Sequence, residues 1–365
     1  MSVWDQFIGH PRPRKMLESA ARRPIGTYLF VGSAGVGKRN AARVMSAALI
    51  CPEACGECNA CSRVMRDLHP DVSVLQPEGY SHPVEALRAA AAAASQTPLE
   101  AAHRVFIVEE ADRIPERSQN ALLKALEEPS RSAIWILLAE TVEPFLPTIL
   151  SRCHVVEFPP VAEEALSELL QSRFGMGHEE ALRHVRASRG DLDAAVRLAG
   201  EAHCRELRRR AFRLCTAPRI SGAALLREAE AVKQLASVYR EEAEQAFSAE
   251  LAHFEEVAGT QPAAIKKRIA DRNKRALRRV ETEVYVDYLS WLGGAFRDLA
   301  AASAGGDAGS LVAHDFTDEL LEAGAAQPTG FWIDMVEHCL EGQLAIRENA
   351  NPTLVTESIL LRLAS

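Results

Sequence analysis

Thr27-Tyr-Leu-Phe-Val31 runs directly into Gly32-Ser-Ala-Gly35-Val-Gly37-Lys38-Arg39, and the helical pattern Ala41 to Ile50 follows. This reads as strand, glycine loop, helix. Gly32-x-x-x-x-Gly37-Lys38 fits a phosphate-binding loop. Its glycines let backbone N–H groups curl round phosphates, its lysine reaches the outer ones, and the helix N-terminus adds a favourable field. Gly32, Gly35, Gly37 and Lys38 are therefore the candidate nucleotide-binding residues. A tight turn with no ligand would use the same residues, so occupancy by ATP stays open. The next position ordinarily carries Ser or Thr, whose hydroxyl holds Mg²⁺. Here it is Arg39, which cannot ligate a metal, and metal-dependent hydrolysis is expected to fail.

Two further apolar β runs, His103 to Val108 and Ile134 to Ala139, flank a helix that Ser118 can cap and Pro129 ends. Strands alternating with helices predict a parallel sheet. The first of these runs ends in Glu109-Glu110-Ala-Asp112. In phosphate-loop ATPases an acid here coordinates Mg²⁺, and Glu109 stands where Asp is usual, a second departure in the same direction. Solvated carboxylates at a strand end are the alternative. Beyond Pro159-Pro160 the β signal gives way to short amphipathic helices, broken at Gly175-Met-Gly177 and Ser188-Arg-Gly190. From Glu201 onward longer helical periodicities follow, interrupted at Ala300 to Gly309 and at Gly330. The expected division is a core over 1–160, a helical lid over 161–200 and an all-helical domain over 201–365.

Composition agrees with a folded, helix-rich chain. The protein has 365 residues, 47% hydrophobic and 25% charged, far from the values of a disordered sequence. No apolar run approaches the ~20 residues that cross a bilayer. The start, Met1-Ser-Val-Trp-Asp-Gln-Phe, has no basic or apolar leader, so a cytoplasmic protein is expected, with no membrane partner. A formal charge of -8 excludes a wholly basic nucleic-acid-binding chain, so any DNA contact must be local. One basic helical stretch, Lys266 to Arg279, has Asp271 as its only acid. It reads either as a solvated face or as a contact for the DNA backbone or an acidic partner. Arg205, Arg208, Arg209, Arg210 and Arg213 are expected simply to lie outside a face buried by Leu207, Phe212 and Leu214.

Cys51-x3-Cys55-Gly-Glu-Cys58-x2-Cys61 gathers four thiols at spacings that suit a tetrahedral, structural Zn²⁺ site with no open coordination position. An iron-sulfur cluster is the rival. However, the x3 gap comes first, no Pro follows the last cysteine, and Pro52, Glu53, Glu57 and Asn59 make polar surroundings. Cys153, Cys204, Cys215 and Cys339 lack partners at ligand spacing and read as apolar fillers.

With these pieces in order, the sequence resembles the clamp-loader branch of the AAA+ proteins. The carriers are Tyr28 to Lys38, the inserted four-cysteine module, Asn120-Ala-Leu-Leu-Lys-Ala-Leu-Glu-Glu-Pro129 and Leu146-Pro-Thr-Ile-Leu-Ser-Arg-Cys153. Asn349-Ala-Asn-Pro-Thr-Leu354 resembles the close of the family's collar. The resemblance implies an α/β AAA+ core with a parallel sheet and zinc, a helical lid, and an all-α collar that joins subunits into a ring. It implies other clamp-loader subunits (gamma/tau, delta) as partners, with the sliding clamp and primer-template DNA reached through the complex. It also implies that Arg152 of Ser151-Arg152-Cys153 reaches a neighbour's ATP as an arginine finger, although a surface ion pair would be the ordinary role of an isolated arginine. In the lid, Gly190-Asp-Leu-Asp193 corresponds to a segment whose arginine senses nucleotide in hydrolysing members, and here a carboxylate stands in that place. Arg39, Glu109 and Asp193 together favour a non-hydrolysing subunit over an ATP-hydrolysing motor subunit.

Overall fold

Seven consecutive residues, Ala133–Ala139, are buried on both faces of their strand, which makes this strand the natural centre of a sheet covered on both sides. The computed structural model describes residues 2–7, 9–77, 81–127, 130, 132–217, 220–258 and 263–364. The chain divides into two compact units, Met1–Val196 and Arg197–Ser365. The first contains α1 (Pro11–Arg22), β1 (Thr27–Val31), α2 (Lys38–Ile50), α3 (Asn59–Met65), β2 (Val72–Leu75), α4 (Val84–Ala94), β3 (Arg104–Val108), α5 (Glu116–Glu127), β4 (Ala133–Ala139), α6 (Pro147–Leu150), β5 (His154–Glu157), α7 (Glu163–Phe174) and α8 (His178–Ala187). The division falls within α9 (Leu192–Gly200). The second unit holds α10 (Ala202–Cys215), α11 (Gly222–Ala258), α12 (Ala263–Ser303), α13 (Thr317–Gly324), α14 (Thr329–Arg347) and α15 (Pro352–Leu361).

The sheet is parallel throughout, in the order β2-β3-β4-β1-β5. Period-two alternation assigns its faces. Tyr28, Phe30, Val105, Ile107, Ile134 and Ile136 share one core with α2 and the residues before α1. Leu29, Phe106, Val108, Trp135 and Leu137 share another with α4 and α5, where the Phe106 and Trp135 rings stack at 4.5 Å. Because β1 lies between β4 and β5, out of chain order, the loop leaving its C-terminal end opens at a switch point of the sheet, where α/β folds place ligands. A parallel five-stranded sheet flanked by helices is the α/β core expected from the sequence, and a helical C-terminal region follows it.

Three local expectations are corrected. β2 and β5 carry no strand signal that the sequence reading used, since each is a four-residue edge strand with a mostly uncovered burial pattern. Ser118 does not cap α5; it sits buried inside a helix that begins at Glu116, while Pro129 lies outside the described residues. Gly330 does not interrupt a helix but sits in the first turn of α14, behind Pro328 at the N-cap.

The second unit packs Tyr288, Leu292, Phe296 and Leu299 of α12 against Leu225 and Val232 of α11 and Trp332 and Met335 of α14. Arg208 departs from the expectation of a merely external arginine. Its side chain is 12% exposed and pairs with Asp315 at 2.5 Å. Its guanidinium lies 4.9 Å from the Phe212 ring centroid and 5.3 Å from that of Phe316. Among the described residues no helix is long and apolar enough to cross a membrane.

Candidate functional site

The glycine loop follows β1 and leads into α2. Gly35 and Gly37 take positive φ values of 69° and 86°, a region that residues with a Cβ occupy only under strain, and Gly37 is the N-cap of α2. Gly32 is needed for another reason: a Cβ there would stand 2.2 Å from the Phe158 carbonyl oxygen. The loop is thus shaped as a phosphate cradle, but its lysine is turned inward. Lys38 Nζ donates to the carbonyl oxygens of Gly32 at 2.5 Å and Ser33 at 2.7 Å. Burial holds the Lys38 amine below the usual lysine range, against the opposing pull of Glu140, Asp112, Asp193 and Asp191.

The start of α9 meets this loop. Leu192 and Asp193 donate their N–H groups to the Gly35 carbonyl at 2.9 and 3.2 Å. Asp191 accepts from Ala194 N–H at 2.8 Å, closing the first turn of α9. Asp193 therefore stands at the loop as the sequence suggests, and Asp191, which that reading did not single out, stands beside it.

Arg39 and Glu109 meet directly, with Nε and Oε1 2.6 Å apart. Glu109 is 5% exposed, and its second oxygen accepts from Gln76 Nε2 at 3.0 Å. The ring of His82 contacts the Glu109 carbonyl at 2.7 Å, and burial pushes that imidazole below its ordinary pKa. The two departures from an ATPase pattern are thus one ion pair. The Arg39 guanidinium neutralises the buried Glu109 carboxylate. Gln76 and His82 carried no periodic or motif signal in the sequence.

The four knuckle cysteines converge, with their sulfur atoms all within 4.8 Å of one another. Cys51 and Cys55 are 3.9 Å apart, and Cys58 and Cys51 3.8 Å. A tetrahedral site with Zn–S bonds of about 2.3 Å requires S···S edges of about 3.8 Å, which these two separations match, so the donor set fits zinc. Backbone N–H groups support the thiolates. Those of Glu57 and Cys58 draw the Cys55 thiol down to about 7, whereas burial pushes Cys61 up. Cys51 and Cys61 belong to the same buried cluster as β1 and α2. Of the other cysteines, Cys204, Cys215 and Cys339 are buried and Cys153 is half-buried.

Arg152 follows α6 and is exposed. One guanidinium nitrogen donates to Thr148 O at 2.7 Å, and the other pairs with Glu127 at 3.1 Å. Arg152 and Glu127 come from two of the segments quoted for the family resemblance, so the fold brings those segments together. In the basic stretch, Arg278 donates to Asn349 and Arg279 pairs with Glu283. The side chains of residues 266–268, 272 and 275 lie outside those described.

Residues 11–162 match the protein family described as DNA polymerase III, delta subunit. DNA polymerase III subunit delta' of Bacillus subtilis is 33% identical over 166 residues, covering 44% of this chain and 50% of the relative. Its counterpart in Pseudomonas aeruginosa is 36% identical over 182 residues, covering 48% and 56%. DNA polymerase III subunit gamma/tau of Mycobacterium tuberculosis is 33% identical over 164 residues, covering 42% and 28%. The chain spans about half the length of the two delta' relatives.

Proposed function

We propose, from the premise that residues 11–162 belong with the delta' clamp-loader subunits of DNA polymerase III, that the whole chain acts as a non-hydrolysing clamp-loader subunit. It assembles with gamma/tau and delta subunits in the cytoplasm and serves in loading the sliding clamp onto primed DNA. The observation that carries this reading is the Arg39–Glu109 ion pair. It puts a guanidinium where a metal-binding hydroxyl would stand and ties up the carboxylate at 109, both of which oppose the Mg²⁺ that phosphoryl transfer requires. The inward-turned Lys38 and the carboxylates of Asp191 and Asp193 at the loop support it further, since they oppose a polyphosphate.

The contribution to chemistry is made in trans. Arg152 is exposed, and its planar guanidinium matches phosphate oxygens with two N–H groups at once. Placed at a neighbour's γ-phosphate, it would neutralise the charge that grows there in the transition state. Zinc at Cys51, Cys55, Cys58 and Cys61 is structural in this reading, because four thiolates fill its coordination sphere.

The motor-subunit alternative draws on the intact Gly32, Gly35, Gly37 and Lys38 and on the gamma/tau similarity. ATP turnover in the reconstituted loader separates the two. Arg152→Ala should leave assembly intact and slow hydrolysis at the one site it faces, where an arginine finger contributes about 10³- to 10⁵-fold. Arg152→Lys should rescue little, while Lys38→Ala should leave total turnover nearly unchanged. A large loss with Lys38→Ala would favour the motor reading. Normal clamp loading by both Arg152 variants would sink the finger.

A further inference from the structure

We infer that the four-cysteine knuckle is a clasp for the N-terminal segment, and that through this segment bound zinc braces the glycine loop. The inference rests on the zinc reading above. In sequence the knuckle looks like an appendage after the first helix of the core. In the fold, its Ala54-Cys-Gly56 turn is the surface on which residues 2–6 sit.

Val3 N–H donates to the Ala54 carbonyl at 2.7 Å, and Ser2 Oγ reaches the same oxygen at 3.4 Å. Gln6 Nε2 donates to the Gly56 carbonyl at 3.5 Å. The approach is close enough that a Cβ on Gly56 would stand 3.1 Å from the Val3 backbone. Gly56 holds a φ of 78°, which glycine takes freely, but Ala54 holds 45°, a conformation that costs a residue with a Cβ. Cys55 lies within the turn and Cys51 and Cys58 bracket it, and metal bonds to them would fix its shape. Val3 is fully buried, and Trp4 and Phe7 are nearly so, in the cluster that also contains Cys51 and Cys61.

The segment then carries the contact onward. Phe7 stacks against Phe158 with centroids 6.5 Å apart, and His10 meets the same ring edge-on at 5.1 Å. His10 Nε2 lies 2.7 Å from the Val36 carbonyl inside the glycine loop. Phe158 also touches the other end of that loop, as its backbone faces Gly32. A continuous set of contacts thus runs from the knuckle turn through Val3, Phe7 and His10 to Val36. Without zinc the turn is free to relax, the two backbone acceptors are lost, and the segment leaves with His10.

The test uses the full chain and amide hydrogen exchange read by mass spectrometry, after metal analysis of the purified protein. Stripping zinc with a chelator should speed exchange about tenfold or more in the peptide covering residues 2–10 and measurably in that covering 32–37. The α7 and α8 peptides should stay unchanged. Val3→Asp, which replaces no cysteine, should keep its zinc and expose the same two peptides. A purified protein without zinc would remove the reading on which the clasp rests. Zinc-bearing protein that keeps residues 2–10 protected after stripping would overturn the clasp alone. If stripping unfolds α7 and α8 as well, Val3→Asp decides: unchanged protection of 32–37 in that zinc-loaded variant would overturn the brace.

Discussion

Removing Arg39 leaves Glu109 as a carboxylate with 5% exposure that still accepts from Gln76 but has lost its charged partner. Losing one hydrogen-bonding partner of a buried polar group costs about 1 to 3 kcal/mol, more when charged. Arg39→Ala should therefore lower stability by about that amount in denaturant unfolding. Glu109→Gln, which removes the charge and keeps a polar group, should cost less. Made together, the two changes should cost less than their sum, since the second removes the charge that the first strands. A fully additive double variant would show that the pair does not interact. Arg39→Thr should incur the same stability loss and still create no ATPase, because Asp193 and the lengthened acid at 109 remain. The glycines, Lys38, Arg39 and Glu109 were each legible from position alone. Their pairing was not, because nothing in a linear sequence says that residue 39 faces residue 109. Glu127 illustrates the same limit: it sat in a quoted motif, yet its contact with Arg152 depends on how α5 and α6 pack.

Among the elements, those covered on both faces were the ones the sequence exposed. β1, β3 and β4 are continuous apolar runs because helices bury both sides of them, and this pattern is visible without a structure. β2 and β5 are held by pairing with one neighbour each, so their residues are mixed and no periodicity marks them. The helical repeat of α10 was equally plain, but it assigned Arg208 to solvent because charge outweighs aromatic stacking in any hydrophobic pattern. In the fold that guanidinium lies over Phe212 and Phe316 and pairs with Asp315, so it fastens the segment before α13 onto α10. A desolvated cation-π contact contributes about 2 kcal/mol or more. Arg208→Ala should destabilise the Arg197–Ser365 unit by at least this much. Arg208→Lys should recover only part, having lost the planar stack and the two-point pairing. Equal stability of the lysine variant and the parent in urea would show that charge alone suffices.

At the scale of the molecule, two compact units mean that unfolding need not be a single transition, and acid should separate them. The first unit carries His10, His82 and His103, each held by burial below the ordinary histidine pKa. The folded state keeps these rings neutral while the unfolded chain accepts protons near pH 6.5. Between the lowered folded values and about 6.5 the unfolded state therefore binds more protons, and stability rises with pH across that window. The contribution is present above about pH 6.5 and is lost as pH falls through it toward the folded values. In the second unit His203 shifts the same way, and burial raises Asp287, which has the contrary sign. Acidification from neutral should thus lower the melting point of the first unit more steeply than that of the second. If the proposed zinc is bound, acid would also protonate its thiolates and act in the same direction on the first unit, so the histidine share needs its own control. His82→Gln supplies one, because an amide can still donate to the Glu109 carbonyl but cannot titrate. It should flatten the acid slope of the first unit while leaving that of the second untouched. If the slope is unchanged, His82 contributes nothing to the acid sensitivity of the first unit.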